Sequence, residues 1–551
     1  MNICKKVSRF HSLDEMISKR MEVKGSYFIK NLSAMATSIR LAKAVGAKIS
    51  VIADYDCDGV CSGINLHLLF EEMGIKHEII FPERITNGYG ITKPLVKKVT
   101  SKFVITVDNG IAAIDAVKAA KDAGIFVGIL DHHMPVDTGE LPPADVIVDP
   151  HVEGESTFNG YCGAGLTYKL AQMLIPVSPV LKTILAFASI ATVADVVPLR
   201  EENRLIVKNG LIAINNGEGT PALRELIRLL GITHVTESDY GFRLGPVFNA
   251  PGRLFDDGAA LAYETMLSEK DGTALTMEVQ KMILINDDRK EIVKKENAEA
   301  EMIIESDGLK DSKPIIICGN FHQGTVGITA GYLARKYRTP AIVLADMGDG
   351  TAKGSARSYA DINLKGLLDK NKQFLLGYGG HKGAAGMSLN ISSLDDFRKG
   401  MSESLGNPVF DDAVVYDEEI DFSEVEDTLK KIEPAGPFGE ENRPFVFLIR
   451  NVKFLPMNGS YIVYMGKDDE HFKMLGTGGI ELVGFNNADF VKEVSKVKSR
   501  KFTFSADVVG VISRSYFDGK EKVQIEVQCL EFFEPETNDV YKDFASMLSF
   551  I

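Results

Sequence analysis

The 551-residue chain has no tryptophan, and its six cysteines, Cys4, Cys57, Cys61, Cys162, Cys318 and Cys529, are scattered along it. Such scatter excludes a disulfide framework and a paired C-x-x-C zinc site, so reduced thiols are expected. Cys57 and Cys61 could form a soft-metal pair, although burial as small hydrophobes is the commoner fate of that spacing. A long apolar run is missing too. The longest, Ile184 to Leu199, is interrupted by Asp195 and falls short of the ~20 residues that span a bilayer, so no membrane helix is expected. The early charges Lys5, Lys6 and Arg9 precede no apolar core of signal-peptide type, which makes the cytoplasm the expected compartment. Positive charge is in deficit, with 62 Lys and Arg against 76 Asp and Glu and a net charge of −14. That excludes an all-over basic surface and simple nonspecific clamping of nucleic acid, while leaving room for a local basic groove. No long-period repeat or low-complexity tract occurs, and 45% hydrophobic with 25% charged residues excludes wholesale disorder, collagen and coiled coil. The length suits three to four domains of ~150 residues each.

What is present is a rhythm. From Lys48, short β-branched runs (KISVIADYD, HEIIF, FVITVDNG, IFVGILDHH, VIVDP) alternate with segments of helical periodicity such as Ile111 to Ala123. This is the pattern of a parallel sheet with crossover helices, and it places the acids and histidines that end each run at the carboxyl ends of strands, where open α/β sheets keep their sites. Residues Leu166 to Leu230 read as helical. Ala274 to Ser306 reads as one long Glu/Lys-rich helix bridging two domains, with pairs such as Glu291 and Lys295 at i,i+4 spacing. A second α/β block runs from PIIICG through PAIVLAD to about Leu405. Between Asp411 and Glu441 there are twelve acidic and two basic residues, which predicts an exposed connection. Beyond Arg443 the chain turns to short alternating strands with a hairpin signal at Asp518-Gly519, the pattern of a small β-barrel. The expected division is 1–272, 273–308 (connecting helix), 309–408, 409–442 (acidic linker) and 443–551.

The chemistry concentrates in Asp54-Tyr55-Asp56-Cys57-Asp58-Gly59, then Asp108 in VDNG, Asp131-His132-His133, Asp149-Pro150, and Asp195 in ATVADVVPL. Three carboxylates within five residues repel one another unless a cation holds them. Carboxylates with an imidazole suit Mn²⁺ or Mg²⁺ better than the thiolate-rich sets that select structural zinc. Asp at i and i+2 can face two ions, and one carboxylate from the next strand can bridge them at ~3.5–4 Å separation; Asp108 is the obvious bridge. Any one of these residues alone would be read as a helix cap or turn. Five at successive strand ends would not. A second group, GPVFNAPGR with Arg253, GSARS with Ser355 and Arg357, GYGGHKGAAG with His381, and Arg84 in FPERITNGYG, joins glycine-rich backbone to basic side chains that can approach phosphate.

In this order DYDCDG, VDNG, DHH, ATVADVVPL and GGHKGAAG resemble the DHH phosphoesterase superfamily with its DHHA1 domain. FPERITNGYG, GPVFNAPGR, NFHQGTVGI, GSARS and PAGPFGEENRPFVF resemble, within it, the RecJ exonucleases, roughly from residue 45 to 535. The resemblance implies an α/β fold: a parallel-sheet DHH domain, a long connecting helix, a smaller α/β DHHA1 domain and a C-terminal OB-like β-barrel. It implies two Mn²⁺ or Mg²⁺ ions, one on Asp56 and Asp108, the other on Asp58, Asp108, His132 and Asp195, with Asp54 and His133 close by. It also implies that Arg84, Arg253, Ser355, Arg357 and His381 read substrate phosphates. His133 is a candidate proton donor or phosphate ligand. Asp149-Pro150 stands where many relatives have Asn-Pro, NAPGR carries a proline in place of the usual second alanine, ADYD replaces GDYD, and Phe517 stands where relatives often have an indole.

The activity so implied is 5′→3′ degradation of single-stranded DNA to mononucleotides in repair and recombination, with a single-strand-binding protein as a family-level partner; a monomer is expected because a clamp-like multidomain chain works well as one. The rival readings are a DHH-family phosphodiesterase acting on short oligonucleotides or cyclic dinucleotides, and a binding scaffold that has lost its ligands. The first would lack the C-terminal barrel, and the second would lack some of the acids that are all present here.

Overall fold

The computed structural model describes residues 5–6, 12–23, 27–83, 90–136, 138–152, 156–408, 410, 414–457, 460–466, 469–485, 488, 491–492, 505–517 and 519–533. Arg84 with most of FPERITNGYG, Asp518 of the hairpin signal and the side chain of Phe517 lie outside the described residues. A two-residue strand β1 (Lys5–Lys6) precedes the first α/β block, whose sheet comprises β2 (Ile49–Ala53), β3 (His77–Ile80), β4 (Phe103–Val107), β5 (Phe126–Leu130) and β6 (Val146–Val148). All pairings are parallel and the order is β3-β2-β4-β5-β6. Because both faces are covered, β2 and β4 are buried at every position, which is why ISVIA and FVITV read as continuous apolar runs. From β2 the chain steps to β3 on one side and returns to β4 on the other. The sheet therefore changes direction between β2 and β4, and a crevice opens beyond their carboxyl ends.

Helix Cys57–Met73 starts directly after β2, capped by Asp56 and closed by Gly74 in the left-handed region (φ 66°), which a side chain would resist. It packs against helices Gly163–Leu174 and Val180–Ala194 in the largest core of the protein, where Cys57, Cys61 and Cys162 are buried. The two-cysteine metal pair is therefore not formed at the surface; those thiols serve as apolar filling. Among the described residues no helix is long and apolar enough to cross a membrane.

The long helix runs from Gly272 to Ser306, 35 residues and about 53 Å at 1.5 Å per residue. Its first half buries Leu275, Val279 and Met282 in the core of the first block, and its last turns bury Ala300 and Ile304 beneath the second sheet. That sheet holds β7 (Ile315–Gly319), β8 (Ala341–Asp346), β9 (Thr351–Arg357), β10 (Leu375–Gly380) and β11 (Ala384–Asn390) in the order β10-β11-β9-β8-β7; β7 and β8 are parallel, the rest antiparallel. The glycine-rich GYGGHKGAAG is a hairpin of β10 and β11 on its edge. Gly380 sits there at φ 142°, where a Cβ would lie 2.4 Å from the carbonyl oxygen of Ala384.

Residues 409–442, expected as an acidic linker, are largely folded. After β12 (Val415–Tyr416), which pairs with β1, come β13 (Glu418–Asp421) and helix Val425–Ile432. Ile420, Phe422, Val425, Leu429 and Ile432 enter the core of the C-terminal unit. Of the described carboxylates in this segment, Asp417 is buried against Arg443 and the others are exposed or half-buried, so composition alone concealed an amphipathic pattern. The C-terminal strands are β14 (Val446–Leu455), β15 (Val463–Met465), β16 (His471–Gly476), β17 (Glu481–Gly484), β18 (Ser505–Phe517) and β19 (Lys520–Phe533), in the order β13-β14-β18-β19-β17-β16-β15. A further pairing of β14 with β16 joins that order back on itself.

Candidate active site

At the crevice the expected residues converge. Asp54 ends β2 and is buried; Asp56 caps the following helix, accepting hydrogen bonds from the amides of Asp58 (3.0 Å) and Gly59 (3.2 Å). Asp58, in that helix's first turn, accepts from the amides of Gly163 (2.6 Å) and Ala164 (2.7 Å) at the start of helix Gly163–Leu174. Asp108 follows β4 in the left-handed region (φ 60°), a conformation that Asp tolerates and that recurs at functional sites. Asp195 closes helix Val180–Ala194, and the β-branched Val196 beside it is held at φ 57°. His132 gathers the group: its Nε2 lies 3.0 Å from Asp108, 3.5 Å from Asp58 and 3.6 Å from Asp195. Asp58, His132 and Asp195 form one set of converging ligand atoms, and Asp54, Asp56 and Asp108 another. Asp108 also belongs with His132 and His133, so it stands where the two sets meet.

The electrostatics state the same need. Burial, then Asp56, pushes the Asp58 carboxyl up to about 6. Burial and the neighbouring Asp58, Asp56, Asp54 and Asp195 push Asp108 well above the carboxylate range. Burial, with Asp58 and Asp56, does the same to Asp195. A site that holds buried acids at such cost suits divalent cations, which would return each to its ionised form. Burial and the adjacent His133 lower His132 to about 3, leaving its imidazole neutral and able to ligate.

Asp131 does a different job. Although burial opposes its charge, a hydrogen bond from His133 Nδ1 (2.9 Å) and the amides of Ile111 (2.9 Å) and His132 (2.8 Å) hold its carboxyl down at about 2. Against its own partial burial, His133 is raised by this partner to about 9 and carries a proton at neutral pH. Asp149 turns the chain by accepting from the amide of His151 (2.8 Å).

The second block faces this cluster. His381, on the β10–β11 hairpin, has its charge disfavoured by burial and by His133 and His151, and it acts likewise on His132. Arg253 reaches the carbonyl of Gly324 across the blocks (3.3 Å). Arg357 lies in β9, hydrogen-bonded to Ser355 Oγ (3.2 Å), its guanidinium 2.8 Å from where a Cβ on Gly327 would be. Of the candidate phosphate residues, the structure thus places His381 at the acidic cluster, Arg253 on the junction, and Ser355 with Arg357 together on the second sheet.

Several contributors escaped sequence reading. Asn109 is fully buried, accepts from the amide of Ile91 (3.0 Å) and donates to the carbonyls of Ile52 (3.0 Å) and Val107 (2.8 Å), tying the ends of β2 and β4 together. Asn249 accepts from the amide of Cys57 (2.9 Å), so GPVFNAPGR also supports the DYDCDG turn. Gly163 leaves the cluster its room: a Cβ there would lie 2.8 Å from Asp108 Cβ, 3.0 Å from Ser62 Oγ and 3.1 Å from an Asp58 oxygen. Gly163→Ala is expected to lower turnover at saturating Mn²⁺ by about tenfold or more while circular dichroism stays native, as follows from small misplacements of reacting groups. The only legible signal was position, since Asn109 lies within VDNG and Asn249 within GPVFNAPGR, whereas Gly163 adjoins no motif.

A groove of about 1170 Å³ lies beside Val196, between the first block and the C-terminal sheet, lined in part by Phe242, His234 and Tyr516. His234 and Tyr516 pack with ring centres 4.3 Å apart and planes tilted by 35°, and Phe242 is 81% exposed. The carboxylates of Glu237, Asp239, Glu433, Glu440 and Glu526 outnumber Lys208, Arg243 and Arg514 along it, so it offers ring faces more than phosphate contacts.

Comparison with known proteins agrees block by block. The DHH family N-terminal domain matches residues 48–192, the DHHA1 domain 313–407 and the RecJ OB domain 416–529. The single-stranded-DNA-specific exonuclease RecJ of Bacillus subtilis is 32% identical over 518 residues, covering 91% of this chain and 63% of that protein, so the chain spans less than two thirds of that relative. RecJ of Escherichia coli is 30% identical over 457 residues, covering 76% of this chain and 78% of that one. Among solved structures, RecJ of Thermus thermophilus in complex with Mn²⁺ superposes with a TM-score of 0.74 at 23% identity, covering 92% of this chain and 72% of the other. An exonuclease RecJ bound to manganese gives 0.58 at 27% identity, covering 69% and 96%. The chain belongs to the RecJ family.

Proposed function

We propose that this RecJ-family chain removes nucleotides from the 5′ end of single-stranded DNA, releasing 5′-mononucleotides, with two Mn²⁺ or Mg²⁺ ions at the acidic cluster. The observation that carries this reading is the pair of ligand sets that meet at Asp108, on the crevice that His381 of the second block faces. Asp56 and Asp108 would hold one ion, with Asp54 near it; Asp58, Asp108, His132 and Asp195 would hold the other. When bound, two such ions lower the pKa of water and offset charge on the phosphoryl group.

The side chains do the rest. Asp131 orients His133 and keeps it protonated, so that His133 can give a proton to the leaving 3′-oxygen or hold a non-bridging phosphate oxygen. Arg253, Ser355, Arg357 and His381 position the phosphates, as Arg84 would from the segment after β3, and charge-assisted contacts of this kind dominate such catalysis. The aromatic groove beside Val196 would take unstacked bases, which a duplex does not offer. A single copy of the chain working in the cytoplasm, supplied with strands by a single-strand-binding protein, completes the reading.

The test uses a 5′-phosphorylated oligodeoxynucleotide of about forty residues labelled at its 3′ end, beside the same strand in duplex and a circular single strand. Stepwise shortening of the linear single strand alone is expected. Cleavage of the circle, or hydrolysis of dinucleotides with the long strand intact, would contradict the reading, the latter in favour of a short-substrate phosphodiesterase. In the same assay Arg357→Ala is expected to raise KM for 5′-phosphorylated DNA by about tenfold with kcat changed less, the signature of lost binding that is shared by ground and transition states.

A further inference from the structure

A second cluster of ligand atoms lies at the other end of the helix that carries Asp58. His67 and Glu71 are one turn apart on helix Cys57–Met73, and His77 opens the edge strand β3. Gly74 turns the chain back, so His77 Nε2 comes to 2.9 Å from His67 Nδ1 and 3.9 Å from a Glu71 oxygen. All three ligand atoms lie within 4.8 Å of one another. A four-coordinate ion with bonds of ~2.0–2.1 Å asks for ligand atoms about 3.3 Å apart, which this spacing brackets.

The proton positions fit as well. The carbonyl of Ile75 accepts at 2.8 Å from His77 Nδ1, which assigns the proton to Nδ1 and leaves the Nε2 lone pair aimed into the cluster. A histidine whose outer ring N–H is fixed on a backbone carbonyl is the usual support of a metal-binding imidazole. His67 then needs only to move its proton from Nδ1 to Nε2, remaining neutral, to present a second lone pair. Tyr263 packs edge-on against the His67 ring (5.9 Å between centres) and Phe70 against His77 (5.4 Å), while Glu71, 66% exposed, faces solvent. The ion would therefore be walled on two sides and open on the third, where water can complete its coordination.

We propose that His67, Glu71 and His77 form a separate zinc-type site that clamps edge strand β3 to the helix whose other end carries Asp56 and Asp58. Two imidazoles and one carboxylate select Zn²⁺ or Co²⁺ over the Mn²⁺ and Mg²⁺ favoured by the oxygen-rich cluster. Thirteen residues of helix, about 20 Å, separate Glu71 from Asp58, so the two sites bind independently. The inference rests on these three residues and not on the nuclease reading.

The test is a Co²⁺ and Zn²⁺ titration of the full chain, stripped of metal and then saturated with Mn²⁺, followed by the Co²⁺ absorption bands and by thermal unfolding. One Co²⁺ with tetrahedral bands, displaced by Zn²⁺, is expected in the parent protein and in Asp108→Asn alike. Glu71→Gln, an exposed change that leaves the core intact, should weaken that binding about tenfold or more, and His67→Gln with His77→Gln should abolish it. Equal Co²⁺ affinity and equal Zn²⁺ stabilisation in the parent and all these variants would overturn the site.

Discussion

Asp108→Asn is expected to lower turnover on single-stranded DNA by about 10³-fold or more and, at the same time, to make the metal-free protein more resistant to heat. The first effect follows from position, because among the described residues Asp108 alone belongs to ligand sets reached from both β2 and the His132 side. Losing it removes charge from both sets, and preorganised electrostatic contacts of this kind are each worth roughly 10²–10³ in rate. The second effect follows from crowding. Burial and four neighbouring carboxylates oppose the charge on Asp108, so without metal the folded chain must take up a proton there or bear the repulsion, a cost that a neutral amide of the same shape avoids. Turnover with saturating Mn²⁺ and the unfolding temperature in EDTA check the two halves. A variant that is slow and also less stable without metal would indicate simple misfolding.

A second large effect is expected from metal and pH together. Asp58 is raised in the folded chain to about 6, above the 3.8 of an ordinary Asp, so the folded state binds this proton more tightly than the unfolded one. Its share of stability is intact below about pH 4 and is lost as pH rises through about 6, where the carboxylate must ionise in a buried site. Metal-free protein should therefore lose stability across that window, and Asp58→Asn should flatten the loss. Metal reverses it, because ligands must be deprotonated to bind and binding favours the folded state. At a hundred times its Kd each ion adds about 2.7 kcal/mol. For two ions that is an upward shift of roughly 5 °C at pH 7.5, taking ~2.1 cal/mol/K of unfolding entropy per residue, and little at pH 4.5. Unfolding scans with Mn²⁺ or EDTA at both pH values provide the check; an equal shift at pH 4.5 would place the ions elsewhere.

Much of this centre was legible because strand-end chemistry survives in one dimension. Apolar runs such as ISVIA and FVITV announce buried parallel strands, and the acids that follow them must then share one edge of the sheet. Asp56, Asp58, Asp108 and His132 follow such runs and come together, whereas Asp195 closes helix Val180–Ala194 and was marked by the ATVADVVPL motif of the resemblance. Residues that act by holding others left less trace. Asn109 bridges two strand ends, Asp131 sets the protonation of His133, and Gly163 matters through a Cβ it lacks; none of these roles has a spacing rule. The 409–442 segment was misread because twelve carboxylates outweighed five apolar residues whose spacing fits a strand and then a helix. His67, Glu71 and His77 span a helix, a turn and a strand, so no single periodicity joins them.

The central claim is that the acidic cluster holds a pair of ions bridged by Asp108 and that turnover requires both. Electron paramagnetic resonance during Mn²⁺ titration of the metal-free protein, with 5′-end hydrolysis of single-stranded DNA followed in parallel, tests it most directly. The account predicts that activity rises with the spectrum of two spin-coupled Mn²⁺ ions and that Asp108→Asn loses both together. Full activity with one uncoupled ion, or undiminished hydrolysis in EDTA, would contradict it.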